Sequence, residues 1–162
     1  MDILQIVLGG LLAALVAHAA YRVRALNRSG ALAAFVLGAV VFGFGGLPWA
    51  VVLLTFFITS SGLSRFFKKR KEKVEDSFAK GGRRDAWQVA ANGGVAGLAV
   101  LLHLFYPQSV MPWVMFASAF AAANADTWAT ELGVLNKTWP RRLTTWKTVP
   151  PGTSGGVSLA GT

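Results

Sequence analysis

Two carboxylates, Asp126 and Glu131, stand at the end of an apolar run that begins at Met111 and carries no charge before Asp126. Ionisable groups inside such a segment are costly to desolvate, and they usually face a bundle interior or a water-filled cavity. Carboxylate oxygens suit a hard cation, and Mg²⁺ is typically held by one or two carboxylates together with substrate phosphates. The pair therefore predicts a polar site in which Asp126 and Glu131 are catalytic residues and Mg²⁺ ligands.

Amide and hydroxyl side chains accompany both acids on the same predicted helix. Asn124, Thr127 and Glu131 follow a spacing that places them in one stripe, and Asp126 with Thr130 forms an adjoining stripe. The plainer alternative is that Asp126 pairs with a loop arginine and that the amides only join helices by hydrogen bonds. The two acids together favour a functional polar face over that alternative.

A second segment repeats the pattern. Asp85, Gln88 and Asn92 recur at three- and four-residue spacing, so they share one face at the start of another predicted helix. We therefore add Asp85 to the candidate catalytic residues and expect both helices to offer polar groups at one membrane depth.

Cations and a glycine-rich segment flank these helices. The candidate phosphate-binding residues are Lys80, Arg83, Arg84, Asn92, Asn124, Thr127, Arg141, Arg142, Lys147, Gly152, Thr153, Ser154, Gly155 and Gly156. Consecutive backbone N–H groups in the 152–156 loop could form an anion-binding nest. The loop does not match the GxxxxGK[ST] phosphate loop, and a flexible interfacial turn explains it equally well. The cations, the loop and the acids together predict a phosphate-rich ligand.

The elements that would position these residues are transmembrane helices. The chain is 54% apolar and only 14% charged, whereas a soluble domain carries about 25% charged residues. It has no cysteine, which excludes disulfides and thiolate metal sites. His18 and His103 lie away from the acids, so a zinc enzyme or a Cys/His nucleophile is not expected.

Hydropathy predicts an all-α fold, a polytopic transmembrane helical bundle forming a single domain over 1–162. About 20 apolar residues cross a bilayer as a helix, and Gly45-Gly46-Leu47-Pro48 is a turn signal that divides a longer apolar region. The predicted spans are about 3–21, 30–46, 49–65, 86–106 and 111–133, and the predicted cytoplasmic loops are 22–29, 66–85 and 134–162.

The distribution of charge predicts the orientation. With five spans, all 16 Lys and Arg residues fall at loops or helix ends on one face, and cytoplasmic loops are the ones enriched in these residues. We therefore predict an N-terminus outside and an active face on the cytoplasmic side, which would be that of the plasma membrane in a bacterium or archaeon. We attribute the net charge of +9 to the basic loops of this face and to the binding of phosphate groups, and we expect no nucleic-acid partner.

Three long motifs resemble one family of multi-pass membrane proteins. They are KGGRRDAWQVAANGG (80–94), NADTWATELG (124–133) and RRLTTWKTVPPGTSGGVSLAGT (141–162), and a weaker similarity covers 29–46. The family was long catalogued as of unknown function and includes plant phytyl-phosphate kinase. The resemblance extends distantly to CTP-using dolichol kinases and phosphatidate cytidylyltransferases. Family members continue with further spans, so the chain is expected to be truncated.

This resemblance implies a nucleotide-dependent kinase, with CTP as the expected donor and an isoprenoid monophosphate such as phytyl phosphate as acceptor. In dolichol kinases, an Asp within Gly-Asp-x-x-Ala-x-x-x-Gly is thought to serve the metal of the nucleotide. Residues 125–133 keep the Asp as Asp126, the Ala as Ala129 and the final Gly as Gly133, but Ala125 replaces the first Gly. The expected partners are thus the lipid bilayer, a nucleoside triphosphate and an isoprenoid phosphate.

Two other functions remain open from the residues alone. A transporter or ion-coupled membrane protein would use the intramembrane acids as ion ligands, but its polar residues should continue to the outer face, where this chain is apolar. A membrane scaffold with a basic inner surface would leave Asp126 without a role.

Overall fold

The computed structural model describes residues 2–66, 83–133, 139–150, 153 and 155–158. Within these residues the elements are α1 (Ile3–Arg22), α2 (Arg28–Val40) with a π-helical turn (Val41–Gly45), α3 (Leu47–Phe66), α4 (Ala86–Phe105), α5 (Met111–Gly133), β1 (Arg141–Arg142) and β2 (Gly156–Val157). The predicted all-α helical architecture is confirmed, and the helix ends fall within two residues of the predicted ones.

Four helices among the described residues are long and apolar enough to cross a membrane. They are α1, α2 with its π-helical turn, α3 and α4. The fifth predicted span, α5, has the required length, but its C-terminal polar residues lower its mean hydropathy. Its crossing of the membrane remains a prediction.

The chain divides into two compact units. Unit 1 comprises Met1–Phe57 and Gly81–Ala123, and unit 2 comprises Ile58–Lys80 and Asn124–Thr162. Both α3 and α5 begin in unit 1 and end in unit 2. The candidate residues are therefore divided between the two units.

The turn between α2 and α3 has the predicted position. The π-helical turn ends at Gly45, and Gly46 adopts φ +80°, a left-handed backbone that glycine reaches without steric cost. Leu47 then begins α3, and Pro48 occupies its first turn, where a missing N–H costs little. The single long apolar region is thus a hairpin of two helices.

In unit 1, α1 packs against α2 through small residues. Gly9, Ala13, Ala17 and Ala20 are buried, while the larger α1 residues such as Leu11 and Leu15 are more than 60% exposed. A Cβ atom on Gly9 would lie only 2.6 Å from the backbone nitrogen of Gly43. Small residues inside and large apolar residues outside are the arrangement of a helix that faces lipid.

Aromatic rings join α3, α4 and α5 in the core of unit 1. The Trp49 ring lies 5.2 Å from His103 and 4.7 Å from Phe116, and Phe56 lies 5.1 Å from Phe120. Because the contacts of α3 with α5 advance in the same sense along both helices, these two helices run parallel. Two parallel helices are expected here, because α4 follows α3 and precedes α5 in the sequence and runs in the opposite direction.

Candidate functional site

The polar face of α5 lies in unit 2 and is anchored to the end of α3. Ser64 Oγ donates a hydrogen bond of 2.6 Å to Glu131 Oε1, and Thr59 Oγ1 donates one of 3.2 Å to Asn124 Oδ1. Glu131 is only 3% exposed. The stripe formed by Asn124, Thr127 and Glu131 therefore faces the interior of unit 2, and two of its side chains hold α5 in register with α3.

Asp126 has a different environment from Glu131. Asp126 and Thr130 are both exposed, as expected for the adjoining stripe. Five residues at about 100° each place Asp126 and Glu131 about 140° apart around the helix axis. The two acids consequently have different surroundings: Glu131 is fixed in a helix contact, whereas Asp126 is exposed.

The donor set fits Mg²⁺ only as part of a ligand complex. Among the residues that the structure describes, no group of three or more His, Cys, Asp or Glu side chains could hold a metal ion. Mg²⁺ does not require such a cage, because it commonly uses one or two carboxylates, substrate phosphates and water. The exposed Asp126 can supply one such carboxylate, and the metal roles of Asp126 and of the buried Glu131 remain predictions.

Three of the predicted phosphate-binding cations lie on a small hairpin, also in unit 2. Arg142 N donates to the carbonyl of Lys147, and Val149 N donates to the carbonyl of Pro140, both at 2.9 Å. Arg141, Arg142 and Lys147 are exposed. At its tip Trp146 adopts φ +53°, and its N–H donates to the Arg142 carbonyl at 2.8 Å. This hairpin was not predicted, although the run LTTWKTV is rich in residues that favour strands.

The described end of the glycine-rich loop, at Gly155 and Gly156, packs on the same hairpin. Leu143 N donates to the carbonyl of Gly155, and β2 pairs with β1 in antiparallel register. Thr153 N donates to the Pro150 carbonyl, and Gly156 N donates to the Thr153 carbonyl. Two backbone donors that a phosphate nest would use are thus engaged within the loop, and the proposed nest remains a prediction. Lys80, Gly152 and Ser154 lie outside the described residues.

Asp85 lies in unit 1 and caps α4. Its carboxylate accepts a 2.9 Å hydrogen bond from Gln88 N, and the Gln88 side chain accepts a 3.0 Å bond from Asp85 N. This reciprocal capping box satisfies N–H groups at the start of the helix. Asp85 and Gln88 therefore have a structural task that their spacing alone does not distinguish from a catalytic one. The catalytic role of Asp85 remains a prediction.

Arg84 is fixed by its backbone. Arg84 N donates to the carbonyl of Ala25, and Asn27 N donates to the carbonyl of Arg84, both at 3.0 Å. Asn27 in turn caps α2, and Ser29 Oγ accepts a hydrogen bond from Ala86 N. Arg84 and Asn92 both line an apolar cleft in unit 1, whereas Arg83 is exposed.

Thr59 and Ser64 were not among the predicted site residues. They belong to the run TSSGLS at 59–64, which carries five small polar or glycine residues in a largely apolar helix. Small polar residues in a membrane helix commonly hydrogen-bond to a neighbouring helix. That signal could have identified α3 as the partner of the polar face of α5.

The sequence also matches known proteins. It is 33% identical to Protein PGR of Arabidopsis thaliana over 97% of this chain and 59% of that protein. It is 32% identical to a membrane protein of Methanocaldococcus jannaschii, over 86% of this chain and 56% of that protein. It is 26% identical to the chloroplastic Protein VTE6 of Arabidopsis thaliana, over 86% of this chain and 43% of that protein.

The chain thus spans about half the length of these curated relatives. No solved structure matches it. The family described as integral membrane protein DUF92 matches residues 11–162. Since this match covers nearly the whole chain, and since the folded chain is a bundle of apolar helices, the protein belongs to the DUF92 family of integral membrane proteins.

Proposed function

We propose that the chain is the nucleotide-binding part of a membrane phosphotransferase. The enzyme transfers the γ-phosphoryl group of a nucleoside triphosphate, with CTP as the expected donor, to an isoprenoid monophosphate. The observation that carries the proposal is the composition of unit 2. It combines the exposed Asp126 with three exposed cations, Arg141, Arg142 and Lys147. An accessible acid and a basic hairpin are the groups that a metal-bound triphosphate requires.

The chemistry needs positioning and charge stabilisation more than covalent catalysis. A phosphate oxygen of the acceptor forms a bond to the γ-phosphorus, and the bond from that phosphorus to the β,γ-bridging oxygen breaks. The products are a nucleoside diphosphate and an isoprenoid diphosphate. The acceptor needs no general base because its second pKa is about 6 and it is already anionic at neutral pH.

Each group of unit 2 has a role in this proposal. Asp126 holds Mg²⁺, which when bound neutralises charge on the β- and γ-phosphates. Arg141, Arg142 and Lys147 bind phosphate oxygens through charge-assisted hydrogen bonds. Glu131 and Asn124 act as positioning residues, because their bonds to Ser64 and Thr59 fix the rotation of α5 and so the direction of Asp126.

The test uses the purified chain in lipid nanodiscs with Mg²⁺, phytyl monophosphate and γ-labelled CTP, ATP or GTP. Label should appear in an isoprenoid diphosphate, and the preferred nucleotide identifies the donor. Omission of Mg²⁺ or replacement of the acceptor by phytol should abolish labelling of the diphosphate. Absence of labelled lipid with every nucleotide would contradict the proposal. Ion uptake into proteoliposomes that requires the intramembrane acids Asp126 and Glu131 would instead favour a transporter.

A further inference from the structure

Three large apolar side chains are exposed on the hairpin that follows α5 (residues 139–149). Trp139, Leu143 and Trp146 are 61%, 59% and 65% exposed. Single apolar residues at a protein surface are common, but a group of them often marks a surface that contacts a protein or a membrane. These three lie within eight consecutive positions. The hairpin therefore offers an interaction surface.

Trp146 occupies a backbone conformation that favours glycine. Its φ is +53°, and its N–H donates a 2.8 Å hydrogen bond to the Arg142 carbonyl. A bulky residue in the left-handed region carries a steric cost that other contacts must offset. The exposed indole recovers little of that cost by packing within the hairpin. A contact of the indole with a partner outside the hairpin would account for a tryptophan at this position.

The charged residues of the hairpin all have the same sign. Between Trp139 and Val149 the charged residues are Arg141, Arg142 and Lys147, and all three are exposed. Each such cation strengthens binding to an anionic lipid surface about fivefold. Tryptophan is enriched at membrane–water interfaces, where its ring lies at the level of the head groups. Cations interleaved with tryptophans thus match the head-group region of an anionic membrane.

The ends of α3 and α5 limit the distance between the hairpin and the membrane. Ser64 donates its hydrogen bond to Glu131, and each of these residues lies two positions before the end of its helix. The two ends are therefore level with each other. Because α3 is long and apolar enough to cross a membrane, its end marks the level of a membrane surface. From Gly133 to Trp139 the chain advances six positions, which span at most about 22 Å.

Backbone pairing shows which face of the hairpin is available. Arg141 pairs with Thr148, and Val149 N donates to the carbonyl of Pro140. Side chains alternate between the two faces of a strand, so Trp139, Arg141 and Thr148 share one face. Val149, on the other face, is buried, whereas the three residues of the first face are exposed. An apolar ring and a cation are thus presented together.

We propose that the hairpin of residues 139–149 docks on the anionic head groups of the bilayer, on the side where α3 and α5 end. Trp139, Leu143 and Trp146 leave water at the level of the head groups, and the cations bind lipid phosphates. The proposal goes beyond the proposed function and does not depend on it, because docking requires neither nucleotide nor acceptor. Nucleotide phosphates would use the same cations, so docking is measured without nucleotide.

A nitroxide at the tip of the hairpin reports docking. The chain has no cysteine, so Thr145→Cys offers a single attachment site at an exposed position beside Trp146. The full chain is placed in nanodiscs of phosphatidylcholine, with or without added phosphatidylglycerol. In the anionic nanodiscs, oxygen dissolved in lipid should relax the label more, and a water-soluble nickel chelate should relax it less. High salt should reverse both changes, because it screens exposed charges.

Trp146→Gly is the decisive variant, because glycine suits the left-handed backbone and removes only the indole. It should lower the ratio of docked to undocked label about tenfold, as expected when one large apolar side chain no longer leaves water. Trp146→Phe should restore most of the docking. Thr144→Ala, at another exposed position of the tip, is the control and should change nothing. Thermal melting in detergent checks that each variant is folded.

Arg141→Gln tests the electrostatic part of the proposal. It should lower the docked ratio about fivefold in anionic nanodiscs and leave it unchanged in neutral ones. A purely structural role of Arg141 would change the ratio equally in both kinds of membrane, which would contradict the binding of lipid phosphates by this cation.

Several results would overturn the proposal. The label could remain accessible to the nickel chelate in every membrane, or Trp146→Gly could dock like the wild type. Protection of the label in neutral detergent without lipid would show that another part of the protein covers the tip. Magnetic coupling between labels on two chains would show that a second copy covers it. Docking without phosphoryl transfer from any nucleotide would sustain this inference and contradict the proposed function, and phosphoryl transfer without docking would do the reverse.

Discussion

Replacement of Asp126 by Asn tests whether the exposed acid of α5 is present for catalysis or for stability. The change keeps the size of the side chain and its hydrogen-bonding oxygen but removes the charge that a hard cation requires. Asp126 is exposed, and substitutions at exposed positions usually change stability by no more than about 0.5 kcal/mol. The variant should therefore be produced and melt in detergent like the wild type.

The effect on catalysis should be far larger. Removal of one electrostatic stabiliser of a transition state commonly costs about 10²–10³ in rate. A 100-fold loss corresponds to about 2.7 kcal/mol of transition-state stabilisation, several times the expected change in stability. Activity is measured as labelled isoprenoid diphosphate formed per folded molecule, at several Mg²⁺ concentrations, because weaker metal binding is partly overcome by excess Mg²⁺.

Thr130→Ala is the matched control, since Thr130 is exposed on the same stripe one turn farther along α5 and has no assigned role. It should retain wild-type activity and stability. An Asp126→Asn variant that loses stability but keeps its specific activity would refute the reasoning. That outcome is the one expected if Asp126 were half of a structural ion pair, since breaking such a pair costs about 3–5 kcal/mol when it is buried. Equal losses of activity in both variants would also refute it.

Two packing contacts and the predicted topology give three further predictions. Ser64→Ala should destabilise the protein by about 1–3 kcal/mol in detergent unfolding, because Glu131 loses a buried hydrogen-bond donor. Ser61→Ala is the control and should leave stability unchanged, because the buried Ser61 hydroxyl has no hydrogen-bond partner among the described residues. Gly9→Leu should lower the melting temperature, as a Cβ atom there meets Gly43, whereas Gly10→Leu should not, since its Cβ atom meets nothing within 4 Å. Single cysteines at Arg24 and Gln108 should react with impermeant reagents from opposite faces, and labelling from one face would overturn the predicted topology.

The helices could be predicted because their signals are local. Each apolar run is close to the length that crosses a bilayer, and Gly46 supplies the left-handed residue that divides the second run from the third. Asp85 and Gln88 also follow a readable capping pattern, although their spacing was interpreted as part of a functional face. A capping pair and a polar face have the same periodicity, so the sequence alone does not separate them.

Which polar stripe of α5 is packed and which is exposed could not be predicted, because the answer depends on the helix that packs against α5. The sequence places Asn124, Thr127 and Glu131 in one stripe, but only the hydrogen bonds from Thr59 and Ser64 identify that stripe as the packed one. The pairing of β1 with β2, which holds the end of the glycine-rich loop against the hairpin of Arg141, Arg142 and Lys147, joins residues up to 16 positions apart. Such non-local pairing leaves only a weak compositional signal.

The backbone bonds of Arg84 have a consequence for how the chain can be divided. A cut between Phe66 and Arg83 separates α1–α3 from α4–α5, but Arg84 still pairs with Ala25 and Asn27 across the cut. The aromatic contacts of Trp49 with His103 and Phe116 also join the two fragments. Two independently expressed halves should therefore assemble in the membrane and purify together through a tag on either one. The protein could then serve as a split reporter whose reconstitution requires both halves to insert in the same bilayer.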